Sequence, residues 1–252
     1  MKPLVIDSDA QLGIGETWGS PARSVEYDVE SLLERSGEAG VDRSCVMAPR
    51  NPVYDLPNRQ VAEWCGKHPD KLIGFAVHNP QRETGRLRPA LIAEVKALGL
   101  KGVRSDGHPT RELLDVVAEL NIPVIYYPDL NEYPGPARAY YMIATAYPSV
   151  KFILPHLGAY RSWHWWAHYE AMDLVKRFPN IYVGTSSVIS RKYLEMAARE
   201  LPAQRILFGS FAPELDPRVE LYSVRLLKLT EPSQALILGG NMQNLLGLSG
   251  LP

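Results

Sequence analysis

The sequence predicts a single-domain α/β protein, a (β/α)8 TIM barrel that spans residues 1–252. Eight short β-rich runs alternate with eight longer amphipathic runs, which is the pattern of parallel strands joined by helices. The length of 252 residues suits one such barrel, which usually needs about 250 residues. No linker or low-complexity tract divides the chain. A doubly wound open sheet shows the same alternation, so periodicity alone leaves that fold as the competitor.

The eight predicted strands carry few charges before their last residues, as strands do when helices cover the sheet. In chain order they are PLVIDSDA, RSCVMAP, LIGFAVHN, LKGVRSD, IPVIYYPD, VKFILPHLG, IYVGTSS and RILFGSFAP. Polar side chains cluster at their carboxyl ends, which is the face where barrel enzymes carry their chemistry.

The helical runs between the strands repeat apolar residues close to helical spacing. In chain order they are DVESLLERSGEAGVD, NRQVAEWCGKH, RPALIAEVKALG, TRELLDVVAELN, ARAYYMIATAY, WAHYEAMDLVKRF, KYLEMAARE and VELYSVRLLKL. Thr110 stands where the fourth helix needs an N-cap. Glycines near the ends of the first and third helices match C-cap positions.

Composition narrows the partners that the protein can have. A net charge of −1 and 22% charged residues give no basic surface for nucleic acid or an anionic membrane. No run reaches the roughly 18 apolar residues that a membrane span requires, and the N-terminal segment lacks the features of a signal peptide. Cys45 and Cys65 form no metal-type pair and are expected to be buried thiols. We therefore expect a cytoplasmic protein whose partner is a small-molecule substrate, with no nucleic acid and no membrane.

Four segments carry a resemblance to a known family: VIDSDAQLG, KFILPHLGAY, RILFGSFAPELDP and ALILGGNMQNLLGL. In this order, and over nearly the whole chain, they resemble the amidohydrolase-related family that includes aminocarboxymuconate semialdehyde decarboxylase, resorcylate-type decarboxylases and dicarboxylate lactonases. The resemblance implies a TIM barrel and so favours the barrel over the open sheet. It does not fix a substrate, because one fold hosts many reactions.

The chain departs from this family at the metal site. The resemblance implies two histidines on the first strand, one after the fifth and an aspartate at the end of the eighth, all around a divalent metal. Here the first-strand positions are Asp9 and Gln11, the fifth-strand position is Tyr127 and the eighth-strand position is Phe211. His156 matches the family's sixth-strand histidine, which serves in catalysis in many of the family's decarboxylases.

These replacements lead us to expect no cofactor. Catalytic zinc usually needs three protein ligands, mainly imidazole or thiolate, whereas the chain offers one carboxylate, one amide oxygen and one imidazole. Phe211 supplies no lone pair. A divalent metal such as Mg²⁺ or Mn²⁺, held by Asp9 with waters, is possible but disfavoured on this argument.

Without a metal, side chains must move protons, and His156 is the best candidate because its ordinary pKa lies near 6.5. Asp9 would act as a base or hold His156 in one tautomer. The alternatives are a histidine that is hydrogen-bonded at a strand end and a carboxylate that faces a partner. We predict His156 and Asp9 as catalytic residues.

Four further residues are predicted to bind the substrate: Gln11, Arg104, Tyr127 and Phe211. Arg104 would bind a carboxylate in bidentate fashion, or it would form a salt bridge with Asp106 or Asp9. Tyr127 would donate to an oxyanion, or it would pack in place of the family's histidine. Phe211 would form an apolar wall.

The run SWHWWAHYE places His164 and His168 four residues apart among tryptophans. Two histidines at this spacing on a helix can share a metal, but no glutamate follows in the HExxH pattern. An aromatic interface or lid is the favoured interpretation, and it makes a homo-oligomer possible.

Three hypotheses for the function remain. The first is an amidohydrolase-type enzyme, a hydrolase or a decarboxylase, that acts on a small carboxylated or cyclic substrate by metal-independent acid–base chemistry. The second is a non-catalytic binding or assembly protein. The third is a metallohydrolase with unusual ligands.

Overall fold

The computed structural model of the chain describes residues 3–17, 20–52, 54–80, 88–127, 137–159 and 165–248. Its strands are β1 (Ile6–Gln11), β2 (Gly13–Thr17), β3 (Ser20–Tyr27), β4 (Arg43–Met47), β5 (Leu72–Gly74), β6 (Ala76–His78), β7 (Val103–Asp106), β8 (Val124–Tyr127), β9 (Phe152–Leu154), β10 (Ile181–Gly184) and β11 (Ile206–Leu207). Its α-helices are α1 (Val29–Ala39), α2 (Asp55–Lys67), α3 (Arg88–Ala97), α4 (Arg111–Leu120), α5 (Ala137–Ala146), α6 (Trp166–Arg177), α7 (Arg191–Glu200), α8 (Pro217–Arg225), α9 (Glu231–Ala235) and α10 (Asn241–Leu245).

The strands form a closed parallel barrel. β1, β4 and β5 pair in parallel, and β6 to β11 pair in parallel in chain order. β5 and β6 follow one another along a single barrel strand. The first and last strands also meet, because the amide of Ser8 donates to the carbonyl of Phe208 (2.9 Å) and the amide of Gln11 donates to that of Ala212 (2.7 Å). In the described ranges eight parallel strands therefore close on themselves, which confirms the barrel and excludes an open sheet, whose edge strands do not pair.

The outer helices bury their apolar faces on this barrel, as the periodicity predicts. Leu113, Leu114, Val116 and Val117 of α4 are all buried. The hydroxyl of Thr110 accepts from the amide of Leu113 (3.4 Å), so the predicted N-cap is confirmed. None of the helices in the ranges given above has the length and apolar character that crossing a bilayer requires.

An antiparallel hairpin, β2–β3, leaves the carboxyl end of β1 and was not predicted from the sequence. The amide of Glu16 on β2 donates to the carbonyl of Arg50 (2.7 Å), which follows β4. The hydroxyl of Tyr27 at the end of β3 donates to Glu214, beyond β11. The hairpin is thus anchored on both sides of the barrel end at which the predicted site residues lie.

Candidate active site

The structure brings four of the predicted site residues together at the carboxyl ends of their strands. The hydroxyl of Tyr127 on β8 donates to Oδ1 of Asp9 on β1 (2.6 Å). The Tyr127 ring meets the His156 ring edge to face at 5.4 Å between centroids, and Phe211 meets the same imidazole at 4.9 Å. All four side chains are buried. Asp9 and the imidazole of His156 therefore share one enclosed cluster with two aromatic walls.

Ser186, in the loop after β10, joins this cluster and is the residue that links Asp9 to His156. Its hydroxyl donates to Oδ2 of Asp9 (2.7 Å) and lies 3.0 Å from Nδ1 of His156. Its backbone carbonyl also lies 3.0 Å from Nδ1. A cluster that the sequence assigns to two catalytic residues thus contains a third polar group.

These contacts determine where the protons lie. A carbonyl oxygen accepts only, so Nδ1 of His156 must carry the proton that faces Ser186. Nε2 is then the acceptor of the neutral ring, and no described residue bonds it. Burial lowers the pKa of His156, although the charge of Asp9 and the bond to Ser186 oppose this shift. At neutral pH the ring is therefore an uncharged base.

The same bonds argue against Ser186 as a nucleophile. An activated serine gives its proton to a histidine nitrogen, whereas here the hydroxyl proton faces Asp9 and Nδ1 is itself a donor. The sequence already disfavours this role, because no G-x-S-x-G elbow surrounds the residue. Ser186 instead holds the two groups on either side of it.

Gln11 is buried near the end of β1 with an unsatisfied amide. Neither its Nε2 nor its Oε1 has a hydrogen-bond partner among the described residues. Leaving a buried amide without partners costs about 1–3 kcal/mol. An unsatisfied donor and acceptor at the end of a barrel strand indicate a site that a ligand completes.

Asp7, two residues before Asp9, does not belong to the same cluster. It accepts from the amide and the hydroxyl of Ser210 and from the amide of Asp9. The pairing of β1 with β4 is irregular between Asp7 and Ala10. Burial raises the pKa of Asp7 to about 7, against the lowering effect of the bond from Ser210. Asp7 therefore anchors the segment after β11 to β1.

Arg104 on β7 is fully buried and occupied by an ion pair. Its Nε lies 2.8 Å from Oδ1 of Asp106 and its Nη2 lies 3.2 Å from Oδ2. The hydroxyl of Tyr54 also donates to Asp106. The guanidinium carbon lies 5.3 Å from the centroid of the Tyr127 ring. Of the two predictions for Arg104, the structure thus shows the salt bridge with Asp106. The contact of Arg104 with the site is the one between its guanidinium and the Tyr127 ring.

Two site residues have backbones in the left-handed region, His156 at φ 55° and Phe211 at φ 58°. Phenylalanine in this region is rare and costs of order 1–3 kcal/mol. The amide of Phe211 donates to the carbonyl of Asp9 (2.7 Å), which holds the turn in place. Such strain is typical of segments whose geometry serves a site.

Glu220 on α8 is a further acidic group that the sequence analysis missed. Its Oε2 accepts from the amide of Ser187 (3.0 Å), the residue after Ser186. Burial raises the pKa of Glu220 to about 7, and the negative charges of Asp7 and Asp9 add to this increase. Only the contact between α8 and the loop after β10 reveals it, because the surrounding sequence carries no motif.

The predicted histidine pair is only partly within the described residues. His164 and Trp163 lie outside them. His168 is buried, with Nδ1 3.0 Å from the carbonyl of Leu157 and its ring 4.4 Å from that of Tyr193. Trp165 is exposed beside Tyr169. The aromatic interface and the homo-oligomer remain predictions.

The described ranges contain no group of three or more His, Cys, Asp or Glu side chains that could hold a metal ion. At the first-strand positions to which the family resemblance assigns metal ligands, the chain has the carboxylate of Asp9 and the amide of Gln11. Both oxygens of Asp9 already accept one hydroxyl each, and each oxygen keeps further lone pairs. This set is too small for zinc but contains the oxygen donors that Mg²⁺ and Mn²⁺ prefer.

Comparison with known proteins gives a family-model match and no curated relative. A family model described as Amidohydrolase matches residues 19–248. The match begins after β1, so Asp9 and Gln11 lie outside it. A search of curated proteins finds no match.

Three solved structures illustrate what the fold is similar to. A 2,6-dihydroxybenzoate decarboxylase from Rhizobium is 18% identical, with a TM-score of 0.76 over 98% of this chain and 100% of that one. A dihydroxybenzoic acid decarboxylase from Polaromonas, with bound manganese and 2-nitroresorcinol, is 19% identical, with a TM-score of 0.73 over 99% and 98%. A 5-carboxyvanillate decarboxylase from Novosphingobium aromaticivorans, in complex with manganese and a nitrobenzoic acid, is 16% identical, with a TM-score of 0.73 over 98% and 96%. At these identities the likeness establishes the fold.

The expectation that the protein uses no cofactor is wrong. Two of these chains with the same fold contain manganese. The sequence argument weighed the donors mainly against zinc, which prefers nitrogen and sulfur, whereas manganese accepts carboxylate, carbonyl and water oxygens. The expectation of no cofactor is therefore withdrawn, and metal-independent chemistry is withdrawn with it.

Proposed function

We propose that this chain, which belongs to the amidohydrolase family, is a carbon–carbon lyase that releases CO₂ from a small aromatic carboxylate. The observation that carries the proposal is the neutral His156, whose Nδ1 is anchored on Ser186 and whose Nε2 is left to exchange a proton. Decarboxylation needs a proton at the carbon that loses CO₂, and a histidine that cycles near neutral pH can deliver one. The dihydroxybenzoate and carboxyvanillate decarboxylases that share the fold favour this reaction class.

The proton follows a closed path through His156. Nε2 takes the proton of a ring hydroxyl, which leaves a phenolate with electron density on the carbon that bears the carboxylate. The imidazolium returns this proton to that carbon. The carbon–carboxylate bond then breaks, its electron pair returns to the ring, CO₂ leaves and solvent protonates the phenolate. One proton is consumed in total, and neither an oxidant nor a reductant is needed.

The other predicted residues shape the site around this path. Phe211 and Tyr127 form apolar walls on two sides of His156. Gln11 offers a donor and an acceptor that a carboxylate or hydroxyl group would satisfy. Arg104 acts indirectly, because its guanidinium is paired with Asp106 and contacts the cluster through the Tyr127 ring.

A divalent ion of the manganese or magnesium class would be held by Asp9 and Gln11, with water and substrate oxygens completing its shell. The unsatisfied Oε1 of Gln11 is the structural observation that supports this placement. When bound, such an ion holds substrate oxygens and offsets their negative charge.

Manganese titration followed by electron paramagnetic resonance tests the metal site. We expect wild-type protein to bind Mn²⁺ and Asp9→Asn to bind it at least about 10-fold more weakly, since removal of a charged ligand costs more than about 1.4 kcal/mol. Asp173→Asn, an exposed acid on α6, is the matched control and should bind like wild type. Equal binding by wild type and Asp9→Asn would refute the placement.

Turnover of a panel of hydroxybenzoates and related carboxylates, assayed by CO₂ release with Mn²⁺ present, tests the reaction. We expect His156→Gln to lose about 10²–10⁴-fold in rate, the usual contribution of a general acid–base group. His68→Gln, at the C-terminal end of α2, is the control. Full turnover by His156→Gln, or a hydrolysed product without CO₂, would overturn the proposed function.

A further inference from the structure

Ser186 is fully buried where three elements meet, and both of its side-chain contacts are to predicted catalytic residues. The β-carbon that an alanine would carry at position 209 would lie 3.1 Å from Cβ of Asp9 and 3.3 Å from Cβ of Ser186. A side chain at this position would force Asp9 and Ser186 to shift by a few tenths of an ångström. The loop after β11 is thus shaped around this pair.

The hydrogen bonds through the Ser186 side chain form a chain of donors that points from His156 to Asp9. Nδ1–H of His156 points at the carbonyl and the hydroxyl oxygen of Ser186. The Ser186 hydroxyl already accepts from this side, so its own proton must go to Oδ2 of Asp9 (2.7 Å). We infer that Ser186 is a positioning residue that couples the charge of Asp9 to the far side of the His156 ring. Its hydroxyl then stabilises the imidazolium that forms when Nε2 takes a proton.

The backbone around Ser186 is held so that both of its oxygens keep these directions. Ser187 adopts φ 55°, and its amide donates to Glu220 on α8 (3.0 Å). On the other side, the amide of Thr185 donates to the carbonyl of Leu207 on β11 (3.0 Å). A serine on an unrestrained loop would exchange hydrogen-bond partners, whereas this one is fixed from both neighbours.

The charged and titratable groups around this chain of bonds come from every element packed against it. They are Asp7 and Asp9 on β1, Tyr127 on β8, His168 on α6 and Glu220 on α8. Among them Asp9 alone contacts the Ser186 hydroxyl. A variant of Ser186 should therefore act on His156 through Asp9 and not through the other groups.

The test is nitrogen-15 NMR of histidine-labelled, metal-free protein, with the His156 signals assigned by their loss in His156→Gln. We expect wild type to show a protonated Nδ1 and an unprotonated Nε2 in the neutral ring. Ser186→Ala should lower the titration midpoint of His156 by about one pH unit, the size of a typical charge–partner effect. Ser186→Cys, which carries a weaker donor of similar shape, should lower the midpoint less. This variant serves as the test if Ser186→Ala does not fold. Ser190→Ala, an exposed serine in the same loop, should leave the midpoint unchanged.

A double-mutant cycle with Asp9→Asn decides whether the hydroxyl acts through Asp9. We expect Ser186→Ala to add nothing once Asp9 is asparagine. An unchanged midpoint in Ser186→Ala, or an equal shift with and without Asp9, would overturn the inference. The inference rests on the proposed role of His156, and the two can fail separately. Full turnover by His156→Gln removes the reaction but not the coupling, while an absent coupling leaves the CO₂-release assay unaffected.

Discussion

The two sides of the barrel mouth differ in how their polar groups are satisfied. On the β7–β8 side, Nη2 of Arg104 donates to Oδ2 of Asp106 (3.2 Å) and Tyr54 donates to the same oxygen. Nε of Arg104 and Oδ1 of Asp106 lie 2.8 Å apart as an ion pair but lack the geometry of a hydrogen bond. On the β1–β11 side, the amide of Gln11 has no partner in the described structure and Phe211 sits in a strained backbone region. The first side is stabilised by contacts within the protein. The second is incomplete by itself, so a ligand is expected there.

The largest expected effect comes from the satisfied side. Arg104→Met should destabilise the protein by about 3–5 kcal/mol, because Asp106 would be left charged and buried without its partner. Denaturant unfolding measures this loss. Arg218→Met, which breaks an exposed pair with Asp216, should cost no more than about 1 kcal/mol. If both variants cost the same, the buried pair is not what stabilises this side of the mouth.

Glu220 should give the protein a stability that falls as pH rises. Burial raises the pKa of Glu220 from 4.5 to about 7. The unfolded chain therefore loses this proton first, and the free energy of unfolding decreases as pH rises from about 4.5 through 7. We therefore compare the free energy of unfolding of Glu220→Gln with that of wild type. This difference should favour the variant by about 2 kcal/mol more at pH 8 than at pH 5, a value reduced to allow for the partial exposure of Glu220.

Unfolding curves at both pH values, with the exposed Glu195→Gln as control, measure this difference. The control should show the same offset at each pH. A Glu220→Gln offset that does not change with pH would mean that the carboxylate is charged in the folded protein throughout this range.

Much of this fold could be predicted because its signals are local. Every barrel strand lies within a predicted apolar run, except that β1 extends one residue further, to Gln11. The helices α1 to α8 overlap the eight predicted helical runs. The match to residues 19–248 confirms the predicted family and an enzyme of that family. The β2–β3 hairpin escaped prediction because its strands, GIGET and SPARSVEY, are rich in glycine and polar residues and bury little.

The site was predictable only where strand ends point to it. The family resemblance, matched to the predicted strand ends, singles out Asp9, Tyr127, His156 and Phe211, and the structure brings them together. The position of Ser186 in the site could not be predicted in this way. Its bond to Asp9 joins residues 177 positions apart, and its direction depends on the turn that follows it. Pairings of this kind leave no mark on sequence periodicity.

Gln11→Met should separate stability from ligand binding on the incomplete side. Removing an unsatisfied buried amide while keeping the length of the side chain should stabilise the protein by about 1–2 kcal/mol. The same change should weaken Mn²⁺ binding, because it removes an oxygen donor. The amide of Gln234 donates to the carbonyl of Arg225. The control Gln234→Met should therefore not raise the temperature of thermal unfolding. A Gln11→Met protein that is less stable than wild type would show that the amide has a partner within the protein.

The smallest expected effect comes from restoring a carboxylate where the family resemblance places one. Phe211→Asp should bind Mn²⁺ about 10-fold more tightly than wild type, equivalent to about 1.4 kcal/mol, because it adds an anionic oxygen donor beside Asp9. Aspartate also tolerates the backbone at φ 58° better than phenylalanine. Phe211→Leu removes the same ring without adding a lone pair, so calorimetric titration should find its affinity unchanged. If Phe211→Asp binds no better than Phe211→Leu, the metal does not lie between β1 and β11, and Gln11 is unsatisfied because a substrate, not an ion, completes this side of the mouth.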